Sequence, residues 1–150
     1  MAYITTTQLA NRLGSALYAR LTDRTNGATA NATVAQEIVD AAEALVNSEL
    51  ARRYQTPVDL AARPELAALL TARTLDVAEF IAWKSSPFVS DIAERVRLNF
   101  EEAQQWLTSV ARGDLPLPAA VLPASTPMVA DGPYTSGGGR VFTSDELDGL

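Results

Sequence analysis

The chain has 150 residues, enough for one domain with a real core and too few for two. Hydrophobic residues make up 47% of it, much of that alanine, and aromatic residues only 7%, so close helix packing is expected rather than a core of large rings. There is no cysteine or histidine, which excludes disulfide frameworks, thiolate zinc sites, Cys nucleophiles, Ser-His-Asp triads and imidazole chemistry; the 18 acidic and 12 basic residues, net −6, offer DNA no broad attraction. The opening Met-Ala-Tyr-Ile-Thr-Thr-Thr has no basic start or apolar segment, and no run approaches the ~20 apolar residues of a membrane span. A soluble chain made in the cytoplasm is expected, with no membrane partner.

Thr5, Thr6 and Thr7 offer N-cap hydroxyls ahead of Leu9, Ala10 and Leu13, and Gly14 supplies a stop, so a short helix is predicted to run to about Leu13. Ser15 can cap a second short turn carrying Leu17 and Leu21, and the aperiodic stretch from Thr22 to Thr33 reads as an exposed loop. Thr33-Val34-Ala35-Gln36 has the spacing of a capping box, and Val34, Ile38, Ala41, Ala42, Leu45 and Leu50 step along one side of a helix expected to end near Tyr54, before Pro57. Pro64 opens a second long helix through Leu66, Leu70, Val77 and Ile81 to about Trp83, broken at Ser85-Ser86-Pro87. Beyond Pro87 a helical repeat from Val89 through Ile92, Val96, Phe100, Ala103 and Leu107 to Val110 predicts a third, with Gly113 as its left-handed cap.

After Gly113 the composition changes. Residues 114–150 hold five of the eight prolines and five of the eight glycines, with one basic against five acidic residues, where residues 1–113 hold 11 basic against 13 acidic. The expected architecture is all-α: a small antiparallel bundle of three long helices plus short N-terminal ones over residues 1–113, followed by an extended arm over residues 114–150.

Particular residues carry the pattern further. Tyr3, Thr5, Leu9-Ala10-Asn11-Arg12-Leu13-Gly14, Leu21-Thr22-Asp23-Arg24 and Leu50-Ala51-Arg52-Arg53-Tyr54 before Pro57 are joined by Leu75-Asp76-Val77-Ala78 and by Trp106-Leu107, Val110-Ala111 and Gly113. In order and spacing they resemble the Mu gp36-like phage proteins, small helical proteins similar in outline to head–tail connector (adaptor) proteins. Gly139-Arg140-Val141-Phe142-Thr143 resembles the Arg-x-Phe element that closes Mu-like members. Relatives can carry several acids after the position of Asp23 in a pattern suggesting cation binding; here no acid follows until Glu37, and one carboxylate makes no calcium site. The resemblance implies a virion structural subunit at the neck: a homo-oligomeric ring docked on the portal protein, DNA passing through its lumen without specific binding, and the other face offered to the next neck or tail protein, a stopper or tail terminator. It implies no catalysis and no cofactor.

Each feature has a plainer reading beside it. Arg53 and Asp76 are expected to form a charge-assisted pair pinning two long helices, with Tyr54, Trp83 and Trp106 as core or interface anchors. Glu37/Asp40 and Glu101/Glu102 read as solvated helix faces. Arg95 and Arg97, among Glu94, Glu101 and Glu102, fit both helix-surface pairs and a ring contact. Gly137-Gly138-Gly139 lacks the strand and Gly-Lys-Ser/Thr of a phosphate loop, so it reads as a hinge before a β-prone segment, Arg140, Val141 and Phe142, which either docks on a partner or stays disordered. Of the competing functions, a stopper or tail terminator is disfavoured by the helical content, and a small helical regulator would need a basic face or an acid/His cluster, neither of which is visible.

Overall fold

The computed structural model describes residues 2–61 and 64–117, and within them the protein is all-helical: α1 (Thr6–Leu13), α2 (Ser15–Thr22), α3 (Ala32–Leu50), α4 (Pro64–Ser85) and α5 (Glu94–Arg112). None of these helices is long and apolar enough to cross a membrane. The expected arm beyond Leu117 lies outside the described residues.

Capping chemistry sets most of the boundaries. Thr5 caps α1 in a full capping box: its hydroxyl accepts from the Gln8 amide and the Gln8 side chain accepts from the Thr5 amide. Gly14, at φ 79°, ends α1 and begins α2, so Ser15 is the first residue of α2 rather than its cap. The expected capping box at Thr33 is replaced by Asn31, whose Oδ1 accepts from the amides of both Thr33 and Val34, which starts α3 at Ala32. The same helix ends at Leu50 rather than near Tyr54, because the chain then closes in turns, the amides of Arg53 and Tyr54 both donating to the Leu50 carbonyl, ahead of a cis Thr56–Pro57 bond.

The third long helix begins at Glu94, several residues later than the periodicity suggests. Val89 packs against the core from an irregular link, so it keeps the apolar spacing without the helix. Its other end falls as expected, with Gly113 at φ 88°, ψ 10° donating its amide to the carbonyls of Ser109 and Val110. The Arg53 guanidinium lies over the Gly113 Cα, where a Cβ would stand. Gly113→Ala should therefore lower stability by about 1 kcal/mol, from left-handed strain and from displacing Arg53, as read in urea unfolding.

Helix α4 packs against α1, α2, α3 and α5. It buries Leu66, Leu70, Val77, Ala78 and Ala82 against Ile38, Val39, Ala42, Val46 and Leu50 of α3 and Ala103, Leu107 and Val110 of α5. The alanines at these contacts let the backbones approach closely, while the rings of Phe80, Trp83, Phe100 and Trp106 sit nearer the rim. There Phe80 stacks on Phe100 with centroids 4.0 Å apart and rings 10° from parallel.

Ahead of α1, the N-terminal segment is tied down by Tyr3. Its amide and that of Ile4 donate to Glu43 Oε1 at 2.6 and 3.1 Å, and the Thr71 hydroxyl donates to its carbonyl at 3.0 Å. The buried Tyr3 hydroxyl donates to Asn47 Oδ1 at 2.6 Å and accepts from the Val58 amide at 2.8 Å. Four segments, the N-terminus, α3, α4 and the α3–α4 link, thus meet on one residue, and burial pushes the phenol pKa up.

Candidate functional site

Among the described residues no group of three or more acidic side chains is placed to hold a metal ion. Charge gathers instead on α4, where Asp76 and Glu79 are 8% and 1% exposed in the midst of Val77, Ala78, Phe80 and Ile81. Carboxylates this deep persist when cations reach them. Arg12 of α1 supplies the main one, its Nη2 2.5 Å from Asp76 Oδ1 and its Nε 2.8 Å from Glu79 Oε2. Arg95 of α5 adds Nη2 at 2.8 Å from Glu79 Oε1, and Arg73 lies 3.7 Å from Asp76 Oδ2 while bonding Glu102 of α5 at 2.8 Å. One polar network therefore crosses α1, α4 and α5.

Burial and pairing oppose each other within it. Burial works against the Arg12 cation, yet the bonds and charges of Glu79 and Asp76 outweigh it and its pKa is raised. At Asp76 burial prevails over Arg12 and Arg73, with Glu79 adding like-charge repulsion, and the carboxyl is pushed up. The pair is thus a fixed structural tie whose desolvation is only partly offset.

This geometry corrects the expected Arg53–Asp76 pair. Arg53 falls in the turn after α3 and covers Gly113 at the end of α5, whereas Asp76 lies mid-way along α4 facing α1. The pinning cation is Arg12, which links a short helix to a long one. The sequence carried a signal for it: two carboxylates three residues apart inside an apolar run demand a cation, and Arg12 is the basic residue of α1.

Asp23 organises its loop through backbone amides. Its two carboxylate oxygens accept from the amides of Thr25, Asn26, Ala28 and Thr29, and these backbone bonds lower its pKa to about 2. Its contribution to stability is present above the ordinary aspartate range and is lost as pH falls through about 2. Arg24 and Arg20 then tie the loop and α2 to the far end of α4 through the carbonyls of Ser85 and Phe88.

Tyr54, expected as an anchor, is 4% exposed and its hydroxyl accepts from the Leu117 amide at 3.0 Å. Leu117 is itself buried, so packing continues four residues past Gly113. Trp83 and Trp106 are half-buried and packed against the core, and the Trp83 indole N–H is buried with no partner among the described residues. Glu37, Asp40, Glu101 and Glu102 are exposed. Arg97 pairs along α5 with Glu94 at 3.1 Å and Glu101 at 3.9 Å, while Arg95 turns inward to Glu79. Arg140, Val141 and Phe142 lie outside the described residues.

A family model described as Bacteriophage Mu, Gp36 matches residues 3–131, most of the chain. No curated protein matches.

Proposed function

We propose that this chain, which belongs to the Bacteriophage Mu Gp36 family, is a head–tail adaptor (connector) subunit of a tailed-phage virion, and that it is structural rather than enzymatic. Copies would form a ring beneath the portal protein that continues the DNA channel and presents its other face to the next neck or tail protein. The observation that carries the reading is the family match over residues 3–131. The residues fit such a role. A helical bundle tied across α1, α4 and α5 by buried ion pairs is a rigid unit for side-to-side packing, and multivalent contacts around a ring let individually weak interfaces hold. A net charge of −6 suits a channel wall that passes DNA without gripping it. The extended C-terminal arm would dock on the portal or on a neighbouring copy.

Native mass spectrometry of the full-length chain, alone and mixed with its portal protein, tests this. Many copies assembling on each portal ring is the expected result; a stable monomer that ignores the portal would overturn the adaptor role.

A further inference from the structure

Three cations gather where α2 and the loop after it meet the end of α4. Arg20 donates from Nη2 to the Phe88 carbonyl at 3.2 Å, Arg24 donates from Nη1 to the Ser85 carbonyl, and Lys84 adjoins Ser85 in the last turn of α4. All three are exposed, and none pairs with a carboxylate among the described residues. The support beneath them is built. The Ser86 hydroxyl donates to the Arg20 carbonyl at 3.3 Å, Gly27 lies against the Phe88 ring, and Asp23 holds the loop with its oxygens occupied by four backbone amides. Each structural tie takes one donor from its guanidinium and leaves the other four N–H groups of that arginine for a further partner.

The opposite charge stands unpaired elsewhere on the same chain. Helix α3 carries four acids and no lysine or arginine. Glu43 bonds the amides of Tyr3 and Ile4, and Glu49 meets Arg52. Glu37 and Asp40 pair with no cation among the described residues, and Asp40 accepts only from Gln36 Nε2 at 2.8 Å. Three residues apart, they share the exposed face of α3 with Ala41 and Ala44, turned away from the buried Val34, Ile38, Ala42 and Val46. Alanines beside them leave both carboxylates open to long side chains.

We infer that these two surfaces meet between copies, with Arg20, Arg24 and Lys84 of one on Glu37 and Asp40 of the next. Guanidinium and carboxylate groups match in bidentate geometry, and unpaired patches of opposite sign on one chain are complementary between two. The acids lie on the side of α3 turned away from α4, whereas the cations lie at the end of α4 itself. Because the two surfaces differ, the contact is head-to-tail, the class that closes into a ring when the rotation between copies allows it. Exposed pairs are individually weak, so the contact gains its strength from repetition around the ring. The inference rests on the ring proposed above and names its contact surface.

Native mass spectrometry of the full-length chain mixed with its portal protein tests this by charge exchange. Arg24→Glu with Lys84→Glu, and separately Glu37→Lys with Asp40→Lys, should each weaken assembly of copies on the portal by about tenfold. One chain carrying all four changes should regain the assembly of the parent, which a misfolded variant would not do. Parent-like assembly by both double variants would overturn the contact and leave the adaptor role standing. Loss confined to one double variant would assign that patch to a different partner, such as a portal carboxylate or a DNA phosphate for the cations. Loss in both without recovery in the fourfold variant would give the patches separate partners, and either result overturns the pairing of copies. A parent chain that stays monomeric beside the portal would overturn this contact and the adaptor role together.

Discussion

Replacing Arg12 with alanine should destabilise the fold by about 3 kcal/mol at neutral pH, because it leaves the buried carboxylates of Asp76 and Glu79 without the cation they share. The figure sits at the low end for breaking a buried pair because Arg95 and Arg73 stay beside the same acids. The loss should depend on pH in a definite direction. Asp76 already has a raised pKa in the folded chain, so its ionised form is disfavoured there relative to the unfolded chain. The stability held by its neutral form is fully present below the ordinary aspartate range and is lost as pH rises through the folded value. Without Arg12 the Asp76 carboxyl holds its proton more strongly, and its protonation at low pH removes part of the uncompensated charge. Urea unfolding at neutral pH and at about pH 4 should therefore show the gap between Arg12→Ala and the parent narrowing in acid. An equal gap at both would assign the loss to the packed alkyl stem of Arg12 rather than to its charge.

The second large effect is expected at Tyr3. Tyr3→Phe keeps the ring and opens no cavity, but it leaves the Val58 amide without its acceptor and Asn47 Oδ1 without its donor. Orphaned polar groups at a buried site should cost about 2 kcal/mol. The denaturation midpoint should fall with an unchanged slope, and the Val58 amide should exchange its hydrogen faster than in the parent. Parent-like stability would mean that water replaces the hydroxyl, and that the backbone bonds of Tyr3 to Glu43 and Thr71 hold the segment unaided.

These two residues also mark the limit of what local sequence determines. Helix identity was legible because apolar spacing, Pro64, Gly14 and Gly113 act locally, within a few residues of the structure they determine. Boundaries slipped where a neighbouring side chain offered better bonds, as Asn31 did for α3, or where an apolar residue packed from a non-helical link, as Val89 did before α5. Arg53 next to Tyr54 has the spacing of a motif, yet the partner of Asp76 lies 64 residues away at Arg12. Contacts at such separations depend on how a short helix is laid across a long one, which periodicity does not encode. Asp23 shows the converse: its four bonds are to backbone amides two to six residues away, so its role is set within its own loop.

The bond between Tyr54 and Leu117 sets a boundary condition on everything downstream. Because the backbone amide of Leu117 is itself the bonded group, both the position and the heading of the chain are fixed as it leaves the helices. Copies related by rotation would repeat that heading at every step. Their C-terminal segments would set out in one rotational sense, like the vanes of a pinwheel, and an assembly built from them would have a handedness at its rim before any partner arrives.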